Sequence, residues 1–139
     1  MVWYGLFDTH PTYRKVMIEV DAEMKKLAGW SIVEELSKTS DESNIHNTTV
    51  AQPCIFAMQV ALAYTWMSFG IKPEAIVGHS IGEVAAAHMS GALSLADATA
   101  TIFHRSRLQA STAGKGRMLA IGLPQEEVER EIRGWENKV

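Results

Sequence analysis

Cysteine is nearly absent from this sequence: Cys54 is the only one in 139 residues. A lone thiol closes no internal disulfide, which excludes a cystine-stapled secreted scaffold and fits a reducing, cytoplasmic setting. Its neighbours in QPCIFAMQVALAYTWM are apolar, so Cys54 reads as a small buried side chain and not as a reactive thiol. An excess of positive charge is missing too. Thirteen Lys and Arg stand against 16 Asp and Glu, a formal charge of −3, and no basic run marks a nucleic-acid partner. Long apolar runs are also lacking. The most hydrophobic stretch, Pro53–Phe69, is broken by Gln59, Thr65 and Ser68 and is short for a bilayer span, so no membrane partner is expected. The first residues turn aromatic and polar within a few positions, which argues against a signal peptide. Neither an internal repeat nor a low-complexity tract occurs. With 47% hydrophobic residues, the chain is long enough to bury one real core.

The patterns that are present alternate between helical and extended. HPTYRKVMIEVDAEMKKLAGW, residues 10–30, reads as an amphipathic helix, with Val16, Val20, Met24 and Leu27 recurring at steps of four, four and three. Pro11 suits its first turn and Gly29 its end. SIVEEL follows, with Ser31 as its N-cap. SKTSDESNIHNTTV is polar and turn-rich, a surface loop. Residues 52–69 then form a long helix buried on most of its circumference. Ile76 and Val77 make a very short strand, a helix covers 83–91, and a third runs over 94–112 from the pair Ser94 and Asp97. MLAIGL reads as a strand, and PQEEVEREIRGW as a helix opened by proline with acids in its first turn. The expected class is α/β.

The join between the short strand and the next helix carries the chemistry. Gly78-His79-Ser80-Ile81-Gly82 has the G-x-S-x-G spacing of a nucleophile elbow. A sharp strand-to-helix turn forces the serine into a strained backbone conformation, and flanking glycines avoid clashes there. The turn lifts the hydroxyl clear and aims the Ile81 amide at a developing oxyanion, helped by the positive end of the helix. On helix 94–112, Leu95, Ala98, Ile102, Arg105 and Gln109 share one face, so Arg105 continues an inward stripe. A guanidinium there needs an anion, or a route by which its head reaches water while its stem packs. Pattern alone leaves both open.

GHSIGEVAAAHMSGALSLADA, followed by RSR and GKGRMLAI, resembles the acyltransferase domain of polyketide and fatty acid synthases and the stand-alone malonyl-CoA:acyl carrier protein transacylases. AQPCIFAMQVALAYTWMSFGIKPEAIVGHS is similar to the segment that leads into that family's elbow, and the likeness runs from about Trp3 to Ile132. The resemblance implies a ping-pong transfer of a malonyl or methylmalonyl group from coenzyme A, through an acyl-serine, to the phosphopantetheine thiol of an acyl carrier protein. No permanently bound cofactor is implied, and other domains of a multidomain synthase are expected partners. The fold it implies is part of an α/β-hydrolase-like large subdomain over 1–116, with a ferredoxin-like small subdomain beginning at 117–139. An arginine 25 positions after the serine matches the family's carboxylate-binding residue, which assigns that role to Arg105. His79 matches a site-lining position, and Gln52 a glutamine near the site.

The base remains. His79 is adjacent to Ser80, and neighbouring side chains of an extended segment leave in opposite directions, so it does not easily reach the hydroxyl. His88 lies two helical turns past the elbow. His104 sits about a hundred degrees round the helix from Arg105. His10 and His46 fall in terminal or loop segments, and Arg107 is expected to be structural. The resemblance implies a catalytic histidine well downstream, whereas Val139 comes 59 residues after Ser80. It also implies an oxyanion-hole glutamine just before the region of Trp3. The chain is therefore expected to be an amino-terminal part of an acyltransferase with negligible turnover by itself. A serine hydrolase or thioesterase using water, and a non-catalytic remnant of the fold, are the competing readings.

Overall fold

The computed structural model describes residues 2–116 and 118–135. Among the described residues seven helices are formed: α1 (Val2–Thr9), α2 (Pro11–Ala28), α3 (Ile32–Ser37), α4 (Thr48–Ser68), α5 (Gly82–Met89), α6 (Leu95–Ala110) and α7 (Gln125–Glu131). Local signals set most of their ends. Pro11 occupies the first turn of α2, and Gly29 closes that helix in the left-handed region at φ 71°. Ser31 Oγ accepts from the Glu34 amide, and Ser94 Oγ accepts from the Asp97 amide while donating to its carboxylate. Asn47 caps α4 by accepting from the Thr49 amide, so this helix starts a turn earlier than its apolar pattern suggests.

Three of these helices make the core. α2, α4 and α6 pack mutually, with α1 and α3 against α2, and α5 against α4 and α6. Tyr13, Met17, Val20 and Met24 of α2 meet Phe56, Ala57 and Val60 of α4 and Ala98 and Ile102 of α6, all fully enclosed. Each large apolar side chain buried this way contributes about 1.5–3 kcal/mol. The α2 stripe departs from its expected course at the end, where Leu27 is exposed and Ala28, a full turn after Met24, packs on the core. Helix α1 was not anticipated. Its Leu6 and Phe7 pack against the core, and Arg14 of α2 donates to the Phe7 and Asp8 carbonyls at its final turn.

Buried charge ties the connections down. Asp21 accepts from Ser31 Oγ at 2.8 Å and pairs with Lys25 at 3.1 Å, joining α2 to the start of α3. Glu35 accepts from Lys38 Nζ, Ser43 Oγ and the Asn44 amide, which fixes the loop that feeds α4.

The expected strands are corrected. No described residue lies in a strand, so the described part of the chain is all-helical and not α/β. Ile76 and Val77 keep the β-branched composition of a strand, but Val77 is 96% exposed. Met118–Leu123 are likewise irregular and exposed. A strand exists only through a ladder of backbone hydrogen bonds to a neighbour, and neither segment meets one among the described residues. The expected start of a small subdomain at Arg117 lies outside the described residues, as do Met1 and residues 136–139.

Candidate active site

Ser80 stands at the mouth of α5 with its backbone at φ 58°, and among the described residues no other non-glycine has a positive φ. Such a conformation costs a serine about 1–3 kcal/mol and persists only where the surroundings enforce it. Gly78 shows how. A Cβ there would lie 2.3 Å from the Gly82 carbonyl oxygen and 2.6 Å from the Glu83 amide nitrogen, so the two arms of the turn touch backbone to backbone. Gly82 differs, because a Cβ on it would meet only Gln59 Nε2, at an ordinary 3.7 Å. Only one of the two motif glycines is sterically required by the described residues.

The amides of Gly82, Glu83 and Val84 bond back to the carbonyls of His79, Ser80 and Ile81. The Ile81 amide has no partner among the described residues, at the end of the helix where partial positive charge gathers. That donor and the exposed Ser80 hydroxyl share one turn.

Packing of α4 and α6 brings three more residues together. Arg105 Nη2 donates to Ser80 Oγ at 3.0 Å. Its Nη1 donates to Gln52 Oε1 and, at 3.1 Å, to Gln109 Oε1. Gln52 Nε2 also donates to Gln109 Oε1, at 2.8 Å. Gln52 is buried on α4, Arg105 half-buried, and Gln109 exposed one turn further along α6. The α6 stripe thus begins in the core at Ala98 and Ile102 and emerges at the elbow. No carboxylate pairs with Arg105 among the described residues; its protein partners there are a hydroxyl and two amides, which leaves its charge uncompensated. Gln109 went unrecognised as a site residue in the sequence, although it lay on the same stripe as Arg105.

The histidines disperse. His79 is exposed and lines a cleft with Gln59, Ala63 and Met89, in which neither Ser80 nor Arg105 takes part. His88 is engaged on both ring nitrogens, by the Leu93 carbonyl at 3.0 Å and Tyr64 Oη at 3.3 Å. His104 packs edge-on against Phe103. No histidine or carboxylate bonds to Ser80 Oγ among the described residues. Cys54 is buried, and desolvation, aided by the charges of Glu35 and Asp21, pushes its thiol up to about 12. It has no thiolate character at neutral pH. No helix of the described residues is long and apolar enough to cross a membrane.

A family model described as the acyl transferase domain matches residues 4–139. Erythronolide synthase EryA2 of Saccharopolyspora erythraea is 36% identical over 141 residues, covering 99% of this chain and 4% of the synthase. Probable polyketide synthase 3 of Dictyostelium discoideum is 42% identical over 123 residues, 87% of this chain and again 4% of the synthase. Among solved structures, the loading acyltransferase of the avermectin modular polyketide synthase superposes with a TM-score of 0.88 at 34% identity, over 96% of this chain and 42% of that one. The acyltransferase domain from module 8 of the salinomycin synthase gives 0.85 at 33% identity, over 94% of this chain and 31% of that one. The chain therefore spans about 4% of these two synthases and less than half of each of these two solved chains.

Proposed function

The chain belongs to the acyl transferase domain family, in the form found in polyketide synthases, and from that membership we propose that Ser80 takes a malonyl-type group from coenzyme A and passes it to a carrier-protein thiol. The observation that carries this reading is the 3.0 Å bond from Arg105 Nη2 to Ser80 Oγ. In a malonyl group the free carboxylate is one methylene away from the carbonyl carbon that is attacked. A cation that selects that carboxylate has to stand beside the nucleophile, and Arg105 does.

In the first half-reaction Ser80 Oγ attacks the thioester carbonyl carbon, the C–S bond breaks, and coenzyme A leaves with the serine proton. In the second, the phosphopantetheine thiol attacks the ester carbonyl, its proton returns to Ser80, and the acyl group leaves as the carrier thioester. The Ile81 amide and the α5 terminus stabilise the oxyanion in both. We assign proton removal to a histidine outside the described residues, worth about 10²–10⁴-fold in rate. His79 shapes the cleft on the other side of the turn.

The test is a chimera in which residues 1–139 replace the matching segment of the salinomycin module 8 acyltransferase. Malonyl transfer to a holo carrier protein is expected, and Ser80→Ala should form no acyl-protein. Arg105→Ala should lose about 2–5 kcal/mol in kcat/KM for malonyl-CoA, the cost of a buried carboxylate without its partner, while acetyl transfer is spared. Arg105→Lys should restore part of the loss, because a point charge lacks the planar fork. Equal losses for malonyl-CoA and acetyl-CoA, with a lower Tm, would make Arg105 structural. Release of free acid in place of carrier thioester would make the protein a hydrolase.

A further inference from the structure

We propose that Gln109 is a positioning residue: through Gln52 it fixes which edge of the Arg105 guanidinium is offered to the substrate. The inference rests on the carboxylate-binding reading of Arg105. A guanidinium has five N–H donors, and their use here is uneven. Both donors of Nη1 are taken, one by Gln52 Oε1 and one by Gln109 Oε1. One donor of Nη2 goes to Ser80 Oγ. Nε–H and the second Nη2–H have no partner among the described residues. Nε and Nη2 lie along one edge of the planar group, the edge that can grip a carboxylate side-on. The opposite fork, between Nη1 and Nη2, is closed by the glutamines.

Gln109 decides this arrangement because it controls Gln52. A buried amide can present either its oxygen or its NH2 to a neighbour, and only the oxygen suits a guanidinium. Gln52 is 6% exposed and spends both ends in this cluster: Oε1 accepts from Arg105, and Nε2 donates to Gln109 Oε1. One oxygen of Gln109 therefore holds the guanidinium directly and keeps the amide of Gln52 turned the right way. Without that acceptor Gln52 keeps only its bond from Arg105 and Nη1 loses one of its two anchors, so rotation of the guanidinium about its Nε–Cζ bond becomes easier. Gln109 is exposed, so its replacement leaves the packed core alone.

The experiment reads the guanidinium itself. In the 139-residue chain labelled with ¹⁵N-arginine, Arg105 should show separate, slowly exchanging Nη proton resonances, assigned by their loss in Arg105→Lys. Gln109→Met, which removes the acceptor at similar volume, should merge them into one averaged signal. It should also weaken malonyl-CoA binding in calorimetry roughly tenfold, the effect of loosening a charged hydrogen bond, with a much smaller change for acetyl-CoA. Gln109→Glu keeps the acceptor and should keep the resolved resonances, yet lose malonyl-CoA affinity because a second carboxylate now faces the substrate. A purely structural residue would not separate the two readouts in this way. Unchanged Arg105 resonances in Gln109→Met would overturn the proposal whatever the affinities. Wild-type protein that binds acetyl-CoA as well as malonyl-CoA would instead sink the carboxylate reading of Arg105, and the resonances alone would then decide the role of Gln109.

Discussion

Where α2, α4 and α6 meet, Tyr13, Met17, Met24, Phe56 and Ile102 are fully enclosed, and local signals mark the helix ends: Pro11 and Gly29 for α2, Asn47 for α4 and Ser94 for α6. Between Ile71 and Ser80, by contrast, every residue except Gly78 is exposed, no regular element forms, and the run ends on a serine held in the left-handed region. The first region gains free energy by burying apolar surface. The second stores strain and keeps a hydroxyl in the open. The difference shows how a small chain carries a strained site: Gln52 and Arg105 hang from the two packed helices and hold Ser80 from outside its own turn. Stability lies in the helices and the proposed chemistry in the elbow, with those two side chains as the link.

The largest test of this division is Phe56→Ala. Removing a fully buried ring should cost about 3–5 kcal/mol in urea unfolding, while the folded fraction keeps its Ser80 reactivity. A loss below about 1 kcal/mol would mean that the three-helix core is not where stability resides. Next comes a contrast inside the elbow. Gly78→Ala should cost about 3 kcal/mol, because its Cβ would strike backbone that cannot yield. Gly82→Ala should stay within about 0.5 kcal/mol, since its Cβ meets one flexible side chain at 3.7 Å. Equal effects in thermal melts would refute the backbone-contact argument.

Ser80→Gly sharpens the comparison from the other side. Relief of the positive φ should raise stability by about 1 kcal/mol, less the entropy glycine loses on folding, while acyl-enzyme disappears. A destabilised Ser80→Gly protein would show that the hydroxyl's bond to Arg105 outweighs the strain.

The smallest expected effect is an acid limb belonging to the core side alone. Burial by itself would raise the Glu35 carboxyl, but bonds from Lys38, Asn44 and Ser43 outweigh it and hold the group below its ordinary 4.5. A depressed folded value means that the contribution is complete above about 4.5 and is lost as pH falls through the folded value. Glu35→Gln should therefore flatten the fall of Tm below that pH and lower Tm above it. An unchanged acid slope would remove Glu35 from the account.

What could be read in the sequence was whatever depends on near neighbours. Pro11, Gly29, Ser31 and the Ser94–Asp97 pair each mark a helix end through contacts within a turn, and all four act as their positions suggest. The elbow was legible for the same reason, since five consecutive residues build it. Periodicity alone put Arg105 on the inward stripe of Ala98 and Ile102, and the structure shows that stripe emerging at the elbow. Periodicity could not tell which groups its guanidinium would meet, because Gln52 and Ser80 lie 53 and 25 positions away.

The sequence by itself determined α2, α3, α5, α6 and α7, the caps at Ser31 and Ser94, and the serine turn, because backbone sterics and i to i+4 contacts act over one or two turns of chain. Only the tertiary structure decided that Ile76–Val77 and Met118–Leu123 stay irregular, since a strand needs a partner ladder that composition cannot supply. It likewise decided that Gly78 is indispensable where Gly82 is not, and that Gln109 joins Gln52 at Arg105. Those are matters of which atoms touch once α4 and α6 pack, and contact between distant residues is set by the whole core and not by any one segment.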